Sequence, residues 1–186
     1  GSTVYGGEVA VEATKAATDY LKEKIDQALE VGDLTDLNSV FFSSMLDYVR
    51  HRLDRLVLPD GLKIFPAHGN ATLQCVVSVG SSAWVFRCGD GCAMFRRKDG
   101  SWIGLSGDEL SQKNGFANET HVIPSFPEDE SDLSFAVNFF SDVNAIVLSS
   151  DGLAGLMIGH NNAVHPPAID PFVGVVEAMS VSDADE

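Results

Sequence analysis

Two carboxylates stand out by what surrounds them. Asp90 lies between Gly89 and Gly91 at the end of an apolar run, and Asp151 follows the apolar run 144–148 and Ser149-Ser150 and is itself followed by Gly152. Glycine adopts backbone angles that other residues resist and lets a ligand come close to the chain. A carboxylate at such a corner is either a turn former, which is the commoner role, or an oxygen ligand for a hard divalent cation. Two strands that each deliver an Asp-Gly to their own end can converge on one site, and that pairing turns attention to the ligand role.

Other chemistry is thinner. Cys75, Cys88 and Cys92 fall in or beside expected strands, with Cys88 and Cys92 flanking the Gly-Asp-Gly corner. A zinc site needs further soft ligands at suitable spacing, and none is evident, so core packing is the reading for all three thiols. His160 and His165 lie in an expected loop without a third ligand, which is poor metal spacing. Arg50, His51, Arg52 and Arg55 form a basic cluster that suits either substrate phosphate or, more commonly, neighbouring acids and solvent. There is no nucleophile elbow and no phosphate-cradling Gly-Lys-Ser/Thr loop.

The 186 residues suit a single domain, and 45% hydrophobic content is enough for a real core. Twenty-seven acidic against 12 basic residues give a formal charge of −15. A field of that sign repels nucleic acid and anionic membrane and favours cations and basic protein partners. No apolar run is long enough to span a bilayer. An odd number of cysteines without a secretory leader predicts reduced thiols and a cytoplasmic setting.

The elements that must position the carboxylates follow from periodicity. Val9, Ala13, Ala16, Ala17 and Tyr20 recur at helical spacing and predict a helix over 8–30. Phe41, Met45, Tyr48, Val49, Leu53 and Leu56 predict a second over 37–58, capped by Asp36 and broken at Pro59-Asp60-Gly61. Residues 71–105 read as the sheet-forming centre. Leu73, Cys75, Val77 and Val79 share one strand face, Trp84 and Phe86 share a face of the next, and Lys98-Asp99-Gly100-Ser101 is a hairpin turn. Residues 106–134 are polar, hold Pro124 and Pro127, and read as a long mobile surface loop. Strand character returns over 135–149, short helices are expected at 153–158 and 171–179, and the acidic tail reads as frayed.

In order, these motifs resemble the PPM, or protein phosphatase 2C-like, family of metal-dependent Ser/Thr phosphatases. The family shows a strand running into Gly-Asp-Gly or Gly-Asp-Ser and, later, an apolar strand running into Ser-Asp-Gly, as here at Asp90 and Asp151. The opening Gly6-Gly7-Glu8-Val9-Ala10 is similar to the segment after the family's first Asp-Gly-x-Gly, most of all in its compact bacterial subgroup. The resemblance implies an α+β fold, a β-sandwich of two antiparallel sheets flanked by helices, over a single domain at 1–186. It also implies hydrolysis of phosphoserine or phosphothreonine by a water held between Mn²⁺ or Mg²⁺ ions, with a further ion in bacterial members. Asp151 and Asp90 are the implied metal ligands, in that order. The implied partners are a phosphorylated protein and a cognate Ser/Thr kinase system. The family's first Asp-Gly and its closing strand are not recognised within 1–186. The resemblance therefore predicts a domain incomplete at both ends and little or no turnover from this piece. Two alternatives stand beside it: a catalytically inactive relative serving as a binding or regulatory module, and an unrelated acidic α+β binding domain with two Asp-Gly corners.

Overall fold

Small residues at helical spacing open the structure. A computed structural model describes residues 5–31, 37–58, 61, 71–105, 123 and 135–150. In α1 (Gly6–Val31), Val9, Ala13, Ala16 and Ala17 are buried on one stripe, while Lys15, Asp19, Lys22 and Glu23 stay exposed. The alanines let α2 (Ser39–Leu53) lie close against it. The pair runs antiparallel: Glu12 meets Arg52 at 2.9 Å, and further along α1 Tyr20 packs edge-on against Phe41 nearer the start of α2.

The second helix departs from its sequence reading in two ways. Its cap is Asn38, whose Oδ1 accepts the Val40 and Phe41 N–H groups at 2.9 and 3.2 Å; Asp36 lies outside the described residues. It ends at Leu53 rather than 58. Arg55 N–H donates to Arg52 O and Leu56 N–H to Leu53 O, bonds that tighten the chain and close the last turn before Pro59. The buried stripe is Phe42, Met45, Leu46, Val49 and Leu53, whereas Phe41 and Tyr48 line the seam with α1.

Six strands follow among the described residues: β1 (Leu73–Val79), β2 (Ser82–Cys88), β3 (Cys92–Arg97), β4 (Trp102–Leu105), β5 (Ala136–Phe140) and β6 (Val143–Ser149). They form two antiparallel sheets, ordered β1-β2-β5 and β4-β3-β6. Alternation along β2 explains the layering. Phe86 and Cys88 face the helices, where Phe86 stacks on Phe42 with centroids 5.7 Å apart. Ala83 and Val85 face the other sheet and pack with Ala93, Phe95, Leu105 and Val143. Phe95 and Phe140 stack across that gap at 4.3 Å. The architecture is thus α+β, with two antiparallel sheets face to face and both described helices on the β1-β2-β5 side.

The 135–149 run, continuous in apolar character, is two strands in different sheets. Asp142 adopts φ 59, and its carbonyl accepts the Lys98 N–H at 2.9 Å, so the chain steps from one sheet to the other there. The expected 98–101 hairpin is present. Asp99 Oδ1 accepts the Ser101 N–H and O–H, which holds its carboxyl below the usual range. Of the segment read as a loop over 106–134, Ile123 is described: it is buried and bridges Ala71. The helices expected at 153–158 and 171–179, with His160 and His165, lie outside the described residues. No helix among the described residues is long and apolar enough to cross a membrane.

Candidate metal centre

The Asp90 corner is shaped by its glycines and by the start of β1. Gly89 holds φ +119, where side chains are strained, and a Cβ there would collide with the Thr72 side chain. A Cβ on Gly91 would strike the Gln74 carboxamide and come within 3.1 Å of Ser149 O. Gly89 is therefore required by the turn and by close approach, and Gly91 sits in close contact with Gln74 and Ser149. Asp90, between them, is half-buried.

Register brings the second corner's strand to this one. Cys92 pairs with Ser149 at the end of β6, so the chain entering β3 and the chain leaving β6 share one end of one sheet. The Gln74 Nε2 donates to Ser149 O at 3.0 Å, reaching across from the other sheet. Ser149 Oγ donates to Ser150 O at 3.0 Å, and Ser150 is exposed. Asp151, the next residue in the chain, lies outside the described residues.

Beneath the corner the space between the sheets changes character. Arg87 follows Ala83 and Val85 on the inward face of β2 and is 1% exposed, the largest fully buried side chain. Gln74 pairs with Arg87 across β1-β2, and Asn138 pairs with Val85 across β2-β5, so both share that face. The interface is apolar around Phe95 and Phe140 and polar at the end that carries Asp90. Gln74 Oε1 and Asn138 Oδ1 are buried acceptors with no hydrogen-bond partner among the described residues.

This donor chemistry selects among metals. Burial pushes the Cys88 thiol up to about 11 and raises Cys92 as well, although Arg50 and Arg87 respectively oppose the shift. Both thiols lie in the core, where packing is their role. The Asp90 carboxylate and the strand-end carbonyls are hard oxygen donors, which suit Mg²⁺ or Mn²⁺ in kind. No group of three or more His, Cys, Asp or Glu able to hold a metal occurs among the described residues.

Two members of the basic cluster, Arg50 and Arg52, face acidic side chains. Arg52 bridges Glu12 and Asp19, and Arg50 lies 4.0 Å from Asp47. Sequence reasoning missed Gln74, Arg87 and Ser149. Arg87 carried a signal: a charged residue in phase with Ala83 and Val85, three positions before Asp90, breaks an otherwise apolar strand face. Gln74 carried none, because a polar strand residue ordinarily faces water.

A family model described as protein phosphatase 2C matches residues 1–184. No protein of curated function and no solved structure matches the chain.

Proposed function

Because the chain belongs to the protein phosphatase 2C family, we propose that it serves metal-dependent hydrolysis of phosphoserine or phosphothreonine in protein substrates, with Asp90 and Asp151 among the metal ligands. The observation that supports this is the Cys92–Ser149 pairing. By sequence Asp90 stands two residues before one partner, and Asp151 two residues after the other. Bound Mn²⁺ or Mg²⁺ would lower the pKa of a shared water and neutralise charge on the phosphoryl oxygens. The protein's own part is to hold the Asp90 corner beside the end of β6. Gly89 and Gly91 supply the close approach, and the sheet pairing supplies the stiffness.

The net charge of −15 bears on substrate choice. A phosphopeptide is itself anionic, so the field disfavours acidic peptides and favours a phosphorylated residue flanked by Lys or Arg. A cytoplasmic setting belongs to the same proposal, and the free state of Cys75, Cys88 and Cys92 agrees with it.

The test is hydrolysis of a basic phosphothreonine peptide by the full-length protein with millimolar Mn²⁺. Asp151→Ala and Asp90→Ala should each lower kcat/KM, Asp151→Ala by about a thousandfold or more, at the scale of losing a charge-stabilising catalytic group. Turnover by Asp151→Ala equal to wild type would refute the site. A wild-type protein that binds phosphopeptides but never turns them over would instead be a regulatory module.

A further inference from the structure

We propose that Gln74 is a positioning residue for the metal centre, holding the Asp90 corner and the end of β6 at a fixed separation. The inference rests on the reading of Asp90 and Asp151 as ligands. It is carried by one carboxamide that touches both sides. Its Nε2 donates to Ser149 O at 3.0 Å. The same nitrogen lies where a Gly91 Cβ would be, so it packs on the residue next to Asp90. Gln74 belongs to β1, in the sheet opposite β3 and β6. It therefore ties the Asp90 corner to the end of β6 from outside their own sheet, where β3-β6 pairing has already reached its last pair, Cys92–Ser149.

The orientation of the carboxamide is set by chemistry. Turned over, Oε1 would face the Ser149 carbonyl, acceptor against acceptor. In the orientation present, Oε1 is buried without a partner among the described residues. The carboxamide thus keeps its donor on Ser149 O, beside the candidate site.

A pair of hard ions tolerates little slack between its carboxylates, and supporting residues behind metal ligands typically change affinity by about 10–100-fold when removed. Gln74→Met keeps length and loses the donor; Gln74→Ala loses both. Calorimetric Mn²⁺ titration of the full-length wild type, both Gln74 variants, Asp90→Ala and Val77→Ala separates the outcomes. Val77 is buried on the helix side of the same strand, so Val77→Ala reports loss of stability alone. The expected result is Mn²⁺ affinity about tenfold weaker in both Gln74 variants, unchanged in Val77→Ala, and weakened most in Asp90→Ala. If Asp90→Ala weakens Mn²⁺ binding but the Gln74 variants bind as wild type does, the role of Gln74 is overturned and the metal centre stands. If the Gln74 variants and Val77→Ala weaken together in step with their melting temperatures, Gln74 is merely structural and the proposal fails. If wild type binds no Mn²⁺, the metal centre and the role of Gln74 fail together.

Discussion

At the scale of single residues, the Asp90 corner is held by what glycine lacks. Gly89 combines a left-handed φ of +119 with a Cβ position already filled by Thr72. Strain of about 1–3 kcal/mol for the backbone adds to the steric conflict. Gly89→Ala should therefore lower unfolding free energy by at least about 2 kcal/mol in urea denaturation; a loss below about 0.5 kcal/mol would show that the corner relaxes freely. Asp90 was legible in the sequence because glycines on both sides of a carboxylate announce a corner. The residues behind it were not. Nothing in the sequence marks Gln74 or Asn138, and it is the packing of a second sheet over β1-β2-β5 that turns their face inward.

At the scale of elements, the helices and the hairpin of β1 and β2 were readable because their apolar residues keep strict helical or alternating periods. Boundaries were less so. The end of α2 was overrun because Leu56 and Leu58 continue the apolar content after the hydrogen bonding has tightened and closed. The step between β5 and β6 was invisible because Phe140-Ser141-Asp142-Val143 contains neither glycine nor proline, and the left-handed residue is an aspartate. The docking of α2 on β2 rests on the Phe42–Phe86 stack, with both rings fully buried. Phe42→Ala should cost about 3–5 kcal/mol, read from the shift in denaturation midpoint, because the cavity lies between two layers that cannot collapse independently. A cost under about 1 kcal/mol would mean that the helix layer is not anchored there.

At the scale of the whole molecule, the layering sets where chemistry belongs. Helices cover one face of the β1-β2-β5 sheet, the second sheet covers the other, and the polar end of the gap between the sheets lies under Asp90. An excess of acid overall favours cations, and the Asp90 corner offers a carboxylate to receive them. The central claim is that Asp90 and Asp151 serve one metal centre. Its most direct test is a double-mutant cycle in Mn²⁺ affinity, measured by calorimetry on wild type, Asp90→Ala, Asp151→Ala and the double variant of the full-length protein. Groups that share a centre couple, whereas groups that do not add independently, within about 0.5 kcal/mol. The account predicts that each single variant weakens Mn²⁺ binding and that the double variant is far from the sum of the two. Additive losses, or unchanged Mn²⁺ affinity in either single variant, would contradict it.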